Sequence, residues 1–279
     1  MKKILLPTDF SKNAWNAIGY AMKFLEDEEC LFYLLNTYTP VIYRVDYLIG
    51  GPAVSAVPDI GIDVSLAGLA RSVEKIKKEY SNPKHRFKTI SEFNTLTDEV
   101  LRVCGEEGID LIIMGTKGAT GAKEIFLGSN AIHVIRKTRV PILVIPEGFA
   151  YKHLEAVLFP TDYLSQYNPE NMAPLFEIME KGSTLLHIVH AEEEKLAIAQ
   201  MENKEQLKKL VNHMPSLFED VTDGYMPNIV HSYVEKHNID LVVMMNKRHS
   251  FLRRLLFKQN IDQVGYHCAV PFMVLPDTS

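Results

Sequence analysis

An internal repeat is the feature of this 279-residue sequence that most limits its fold. Residues 240–276 align without a gap on residues 110–146 and share ten identities over 37 positions. Upstream, the segment AVLFPTDY at 156–163 repeats KILLPTDF at 3–10. A period of domain size, well beyond the roughly 20–50 residues of solenoid repeats, indicates that a whole folding unit has been duplicated. The sequence therefore predicts two tandem copies of one fold.

The two copies correspond to predicted domains at residues 1–148 and 153–279, with Phe149–Lys152 as the linker between them. The interval between the matching segments is 23 residues shorter in the second copy. Most of that difference falls on Tyr38–Asp63, which is rich in proline, glycine, tyrosine and small apolar residues. Because long loops without structure of their own are uncommon in compact domains, we expect this one to be a lid or a partner surface, or else disordered.

Within each copy, apolar runs of strand length alternate with segments of helical periodicity. The predicted strands of the first copy are Lys3–Leu6, Cys30–Leu35, Arg86–Ile90, Leu111–Met114 and Pro141–Pro146. Its predicted helices are Asn13–Leu25, Ser65–Tyr80, Thr97–Glu106 and Ala131–Lys137. The second copy adds strands at Ala156–Tyr163 and Leu185–Val189 and helices at Lys204–His213 and Met226–His237. This alternation predicts βαβ units and hence a doubly wound α/β fold with a parallel sheet in each copy.

Two segments that directly follow predicted strands are candidates for a binding site. In doubly wound sheets, ligands bind beyond the carboxyl ends of the strands, where the strand order reverses. Asp9 follows the first strand and Gly115 follows the fourth. If these strands are neighbours, both residues face one crevice. Ser11 is the predicted N-cap of the helix that follows, and Gly108 the predicted C-cap of the third helix.

The segment from Gly115 to Asn130 combines four glycines with the start of a helix. Glycine lets backbone N–H groups approach an anion closely, and a helix N-terminus adds unpaired donors and a positive dipole end. Two simpler interpretations stay open: the glycines make only a tight turn, and Ser129 is only the N-cap of its helix. The segment is neither the dinucleotide motif GxGxxG nor a Walker loop, because no Gly-Lys-Ser/Thr closes it.

The spacing of the glycines favours the anion-binding interpretation of this segment over the two simpler ones. Gly115, two residues, Gly118, nine residues and then Gly128-Ser129-Asn130 resembles the ATP-binding signature of the universal stress protein family. Both copies resemble domains of that family, so the resemblance covers essentially the whole chain. It implies two tandem five-stranded parallel sheets with helices on both faces, the adenine nucleotide alpha hydrolase-like fold. It also implies ATP, or ADP or AMP, as the ligand, with or without Mg²⁺.

The resemblance assigns roles to individual residues of the first copy. Asp9 matches the position that contacts adenine, Gly115 and Gly118 match the loop near the ribose and phosphates, and Gly128–Asn130 matches the helix start that holds the anion. The complete predicted binding set is Pro7, Thr8, Asp9, Leu35, Met114, Gly115, Thr116, Gly118, Gly128, Ser129 and Asn130.

The second copy departs from the signature at the positions that matter most. Gly115, Gly118 and Gly121 correspond to Met245, Arg248 and Phe251, Gly128-Ser129 corresponds to Lys258-Gln259, and only Asn260 is retained. Side chains occupy positions where backbone would have to approach phosphate. We therefore expect nucleotide binding in the first copy alone.

Composition excludes several classes of function. The formal net charge of −5 argues against a nucleic-acid surface, and no apolar run reaches the roughly 18 residues of a membrane span. The three isolated cysteines are predicted to be reduced core residues, so we expect a cytoplasmic protein. No histidine has a partner at metal-ligand spacing, and no nucleophile motif is present. The sequence therefore predicts no catalytic residue and no metal site.

Three functions remain open. We favour an adenine-nucleotide-binding protein with a regulatory or stress-response role. The alternatives are a slow ATPase or phosphotransferase that uses the same pocket, and a nucleotide-free interaction protein. We also predict an intramolecular pseudo-dimer, in which the apolar strands Ile142–Ile145 and Phe272–Leu275 pair antiparallel; association into a further homodimer is left open.

Overall fold

The computed structural model describes residues 1–38, 60–116, 128–192, 195–222, 226–246 and 269–276. The strands are β1 (Lys2–Pro7), β2 (Cys30–Thr37), β3 (His85–Glu92), β4 (Leu111–Gly115), β5 (Ile142–Ile145), β6 (Ala156–Thr161), β7 (Leu185–Glu192), β8 (Ser216–Thr222), β9 (Leu241–Asn246) and β10 (Phe272–Pro276). The helices are α1 (Lys12–Phe24), α2 (Ile60–Glu79), α3 (Leu96–Glu107), α4 (Ser129–Lys137), α5 (Pro169–Glu180), α6 (Ile198–Val211) and α7 (Met226–Lys236).

In the described residues, the strands form one ten-stranded sheet with the order β3-β2-β1-β4-β5-β10-β9-β6-β7-β8. Within each half the neighbouring strands are parallel, and the two halves have the same strand order. Strands β1 and β4 are neighbours, as the predicted crevice requires, with Ile4 opposite Leu111. The doubly wound parallel architecture expected from the sequence is confirmed, and each half reverses its strand order next to its first strand.

The two halves meet through β5 and β10, which pair antiparallel. Val144 lies opposite Phe272, and both side chains are fully buried. This pairing gives each strand a second neighbour, so its backbone N–H and C=O groups are not left at an open sheet edge. The predicted antiparallel pairing of the two last strands is confirmed.

Helices cover both faces of the sheet and bury two apolar cores. On one face, α1, α2, α5 and α6 contribute buried residues such as Ile18, Leu69 and Met172. On the other face, α3, α4 and α7 contribute Val100, Val134 and other apolar side chains. Because the central strands are covered on both sides, they are almost entirely apolar. In the part of the chain that the structure describes, no helix has the length and apolar content to cross a membrane.

An ion-pair network joins the halves at the amino ends of their strands. Lys2 Nζ lies 3.1 Å from Glu28 Oε2 and 2.5 Å from Glu177 Oε2, which belongs to the other half. Lys181, also from the other half, pairs with Glu28 and donates to the carbonyl oxygen of Phe24 at 3.2 Å. The halves are therefore connected by charged side chains as well as by the sheet.

The predicted linker is packed rather than free. Asn16 donates its Nδ2 hydrogen to the carbonyl oxygen of Phe149 at 3.2 Å, and the rings of Tyr20 and Tyr151 meet edge to face at 5.3 Å. Phe149 packs against both apolar cores. The connection between the halves therefore restricts their movement.

Several details differ from the sequence predictions. Helix α2 begins at Ile60, so the predicted loop ends before Asp63, and its residues 39–59 lie outside the described residues. Helix α5 and strand β8 were not predicted.

The caps at Ser11 and Gly108 are confirmed: Ser11 accepts from the amide of Ala14, and Gly108 has φ of 63°. Burial raises the pKa of Cys30 and of Cys104 to about 11, which favours the thiol form.

Candidate functional site

A crevice of about 250 Å³ opens where β1 and β4 end. Strand order reverses at this point, because β1 continues to β2 on one side and pairs with β4 on the other. We call it the N-terminal crevice. Its lining residues come from the ends of β1, β2 and β4 and from the starts of α1, α3 and α4: Pro7, Thr8, Asp9, Ala14, Asn36, Thr37, Leu96, Met114, Gly115, Thr116, Gly128, Ser129, Asn130 and Ala131.

The turn from Thr8 to Ser11 forms one wall, and its own side chains hold it in place. Thr8 Oγ1 accepts from the amide of Phe10 at 3.1 Å, and Asp9 Oδ1 accepts from the amide of Ser11 at 3.0 Å. Phe10 has φ of 63°, a left-handed conformation that costs about 1 kcal/mol or more for a residue with a side chain. The side-chain hydrogen bonds offset this cost and keep the exposed carboxylate of Asp9 at the crevice.

Strand β2 supports this turn from behind. The amide of Thr8 donates to the carbonyl oxygen of Leu35 at 2.8 Å, and Asn36 Nδ2 donates to the carbonyl oxygen of Thr8 at 2.7 Å. Leu35 itself is fully buried and is absent from the crevice lining. Its predicted place among the binding residues therefore corresponds to a supporting backbone contact rather than to the crevice surface.

Gly115 marks the closest approach of helix α1 to the end of β4. A Cβ atom on Gly115 would lie 2.7 Å from Asn13 Oδ1 and 2.9 Å from Asn13 Cγ. Asn13 is buried and donates its Nδ2 hydrogen to Thr116 Oγ1 at 3.4 Å. Gly115 lines the crevice, and the contact with Asn13 on its other side leaves no space for a side chain at this position.

Helix α4 points its amino end at the crevice. Gly128 occupies the N-cap position with φ of −61°, and its amide donates to the carbonyl oxygen of Thr116 at 2.5 Å. The interpretation of Ser129 as the N-cap is wrong, because Ser129 is the first helical residue. Ser129 and Asn130 are exposed, and the amides of the first helical turn have no carbonyl four residues earlier within the helix. Together with the helix dipole, they favour an anion at this end.

Most of the predicted binding set converges at this crevice. Nine predicted residues line it: Pro7, Thr8, Asp9, Met114, Gly115, Thr116, Gly128, Ser129 and Asn130. Leu35 lies behind it, and Gly118 lies outside the described residues. Residue-level reasoning missed Ala14, Asn36, Thr37, Leu96 and Ala131. Asn36 and Thr37 end a strand, so the rule that selected Asp9 and Gly115 would have found them as well.

The described lining offers binding groups and few reactive ones. Asp9 is the one acidic side chain in it, and it contains no histidine, cysteine or lysine from the described ranges. His133, one turn into α4, is exposed and lies outside the lining. Across the described ranges, no group of three His, Cys, Asp or Glu side chains could hold a metal ion. The arrangement is suited to holding an anion at the amino end of α4.

Comparisons with known proteins show which family this chain is similar to. The model of the universal stress protein family matches residues 1–146 and 175–276. Universal stress protein MJ0577 of Methanocaldococcus jannaschii is 31% identical over an alignment of 165 residues, and the match covers 52% of this chain and 94% of that protein. Universal stress protein MJ0531 of the same organism is 30% identical over 144 residues, 52% of this chain and 81% of that protein.

A solved structure extends the similarity to the full length. The crystal structure of a universal stress protein from Archaeoglobus fulgidus superposes with a TM-score of 0.63 at 17% identity, and the match covers 99% of this chain and 98% of that one. This likeness concerns the fold of both halves together. With the family model matching most of both halves, the chain belongs to the universal stress protein family.

Proposed function

We propose that the N-terminal crevice binds an adenine nucleotide, ATP or one of its products ADP and AMP, and that binding serves a regulatory role in a stress response. The observation that carries the proposal is the convergence of nine residues of the predicted binding set on one crevice at the strand-order reversal. Residues 1–148 would form the binding domain and residues 153–279 its structural or regulatory partner. We expect the protein to act in the cytoplasm.

Each part of the crevice suits one part of the ligand. The amino end of α4 offers backbone amides and a positive dipole end to the phosphates. Gly115, which lines the crevice, would offer its backbone beside them. The Thr8–Ser11 turn offers the Asp9 carboxylate and its neighbouring backbone to the amino group of adenine.

The enzyme alternative has less support. A phosphotransferase would need a general base and carboxylates that hold Mg²⁺ beside the phosphates. Asp9 is the one carboxylate of the described lining, and it already accepts the amide of Ser11. We therefore place binding ahead of turnover.

Calorimetric titration with ATP, with and without Mg²⁺, tests the proposal. We expect saturation at one site per chain. A stoichiometry of two would contradict the assignment to one half, and an absence of binding would favour the interaction-protein alternative. Incubation of labelled ATP with the protein, followed by chromatography of the products, distinguishes a binding protein from a slow ATPase.

Substitution of Ser129 separates a phosphate site from a structural helix start. A carboxylate in the first turn stabilises a helix, so Ser129→Asp should leave thermal stability unchanged or slightly raised. The same carboxylate would repel the phosphates, so the Kd for ATP should rise at least tenfold. Ser129→Asn, uncharged and similar in size, is the matched control and should bind within a few-fold of the unsubstituted protein. Equal ATP affinity in the Asp and Asn variants would show that the phosphates do not bind at this end of α4.

A further inference from the structure

A second pocket lies between α1 and α2, on the other side of the Thr8–Ser11 turn from the N-terminal crevice. Its volume is about 280 Å³. It shares only Thr8 with the described lining of the N-terminal crevice. We call it the basic–aromatic pocket, after the residues that define it: Phe10, Trp15, Gly68, Arg71, Ser72 and Lys75.

One face of α2 supplies four of these residues. Gly68, Arg71, Ser72 and Lys75 are separated by three, one and three positions, which places them along one side of a helix. Gly68 is where the helix meets the turn, since a Cβ atom there would lie 2.4 Å from Phe10 Cζ. This close approach brings the two cationic side chains of α2 to the rim of the pocket.

The positive charge of the pocket is only weakly compensated. Lys75 Nζ lies 3.8 Å from the centroid of the Trp15 ring, and its ion pair with Glu79 is long, at 3.9 Å, between side chains that are both more than 40% exposed. No carboxylate of the described residues forms an ion pair with Arg71. Two like charges one helical turn apart repel each other, and an anion between them would remove that repulsion.

The pocket also offers neutral groups. Ser11 Oγ accepts the amide of Ala14, which leaves its hydroxyl proton as a donor. The ring of Phe10 is 38% exposed and presents an apolar surface next to the two cations. Arginine binds phosphate with two parallel N–H donors, whereas lysine contributes a point charge.

The corresponding elements of the second half differ in charge compensation and exposure. There Lys204 of α6 lies 5.3 Å from the centroid of the Tyr163 ring, but it is paired with Asp220 Oδ2 at 2.7 Å. Tyr163 is also buried, with 1% of its surface exposed. The cation over the aromatic ring is neutralised there, and the ring is covered.

We propose that the basic–aromatic pocket binds a small organic phosphate that carries a flat apolar group. The phosphate lies between Arg71 and Lys75, and the apolar group lies against Phe10. The site is separate from the N-terminal crevice and adds a second ligand to the first half of the chain. It does not depend on the proposed nucleotide site.

Trp15 provides a direct readout, because it is the single tryptophan of the sequence. Titration with phenyl phosphate should change Trp15 fluorescence saturably, and inorganic phosphate should bind more weakly. Phenol, which lacks the charge, should give no saturable change. Arg71→Gln should raise the Kd for phenyl phosphate at least tenfold, whereas Arg86→Gln, a matched change of an exposed arginine on β3, should leave it unaltered. An unsaturable response, equal binding of phenol, or an unchanged Kd in Arg71→Gln overturns the proposal.

A second titration establishes whether the pocket is independent. In Ser129→Asp, which alters the N-terminal crevice alone, the Kd for phenyl phosphate should stay the same within twofold. A Kd that rises tenfold in this variant would make the pocket an extension of the N-terminal crevice and would overturn a separate site. The fluorescence titration itself contains no nucleotide, so failure of nucleotide binding and failure of this site give different results.

Discussion

The loops that follow β1 and β6 have the same internal geometry and different surroundings. In both, the threonine of Pro-Thr-Asp accepts the amide two residues later, at 3.1 Å in Thr8 and 2.9 Å in Thr161. In both, the residue after the aspartate is aromatic with positive φ, 63° in Phe10 and 53° in Tyr163. The duplicated sequence therefore reproduces the turn itself, including its strained residue.

Side chains from neighbouring elements form hydrogen bonds with the hydroxyl and carbonyl groups of the second turn. Thr161 Oγ1 lies 2.5 Å from the hydroxyl of Tyr167, Gln200 donates to the carbonyl oxygen of Asp162, and Asn203 donates to that of Tyr163. His190 takes the place of Asn36, with its Nδ1 atom 2.9 Å from the carbonyl oxygen of Thr161. Hydrogen bonds to α6, to β7 and to Tyr167 therefore hold the second turn in place.

The ends of β4 and β9 differ in the same sense. Met245 stands where the first half has Gly115, and its side chain is part of the apolar core. Asn246, at the position of Thr116, donates to the carbonyl oxygen of Ile135 in the first half at 2.7 Å. One copy keeps an open crevice while the other uses the equivalent positions for packing. This difference is the physical basis for expecting a single nucleotide site.

Disrupting the junction of the halves should have the largest effect. Val144 is fully buried opposite Phe272, so Val144→Asp would bury an unpaired carboxylate and lower the free energy of unfolding by about 3–5 kcal/mol. Urea denaturation measures the loss, and small-angle scattering should show expansion while ATP binding persists. Val64→Asp, at a position 56% exposed, should change stability by no more than about 0.5 kcal/mol. Unchanged stability and dimensions in Val144→Asp would show that the sheet is not continuous across the halves.

Converting the first crevice toward the second should have the next largest effect. Gly115→Met introduces the residue of the second half where a Cβ atom would already lie 2.7 Å from Asn13 Oδ1. We expect overpacking to cost about 1–3 kcal/mol and ATP binding to fall below detection. Gly105→Ala in α3 has no atom within 4 Å of the added Cβ and should stabilise by about 0.5–1 kcal/mol without affecting binding. Retained ATP affinity in Gly115→Met would mean that an open backbone is not what distinguishes the two crevices.

Much of this fold follows from local sequence patterns, and the omissions have physical causes. The apolar strands and amphipathic helices were predicted because burial imposes their periodicity. Helix α5 starts with two local helix signals, Asn168 at the N-cap and Pro169 at the first position, but Pro174 interrupts the helical pattern that follows. Strand β8 is a polar edge strand, stabilised by its pairing with β7 rather than by its own apolar content. This strand depends on a tertiary contact that no local pattern contains.

The residues of the candidate site also fall into two groups, those that the sequence predicts and those that only the folded structure reveals. Strand ends and glycine spacing identified the β1 and β4 sides of the crevice and the start of α4. Leu96 and Ala131 are apolar residues near helix starts, and nothing in their local sequence separates them from core residues. The reason for glycine at position 115 was also hidden, because it lies in the contact with Asn13, about a hundred residues away in the chain. Such long-range contacts become visible only in the folded structure.

A smaller effect should follow from removing one hydroxyl group that ties the second turn. Tyr167 is fully buried, and its hydroxyl lies 2.5 Å from Thr161 Oγ1. Tyr167→Phe should cost about 1 kcal/mol, because Thr161 Oγ1 still accepts the amide of Tyr163. We expect no new ATP site, since the second half still lacks the glycines of the first. A stoichiometry that rises to two in the calorimetric titration would show that this hydrogen bond, rather than the loss of the glycines, prevents binding in the second half.

The smallest predicted effect is the contribution of His187, in the second half, to the dependence of stability on pH. His187 is buried on β7, and its Nδ1 atom lies 3.2 Å from the hydroxyl of Tyr233, which donates to Glu219 at 2.8 Å. Since that hydroxyl proton is used by Glu219, Nδ1 carries the imidazole proton. Burial and the neighbouring His237 lower the pKa of His187, and the Glu219 carboxylate opposes them only in part. The folded protein therefore favours neutral His187.

The sign of the pH dependence follows from this shift. The unfolded chain takes up the proton near the ordinary pKa of about 6.5, at a higher pH than the folded protein does. The contribution of His187 to stability is therefore complete above that pH and declines as the pH falls below it. Urea denaturation at pH values above and below 6.5 should show this loss, and His187→Phe should reduce it. A His187→Phe variant with the full acid sensitivity of the unsubstituted protein would assign the effect to other groups.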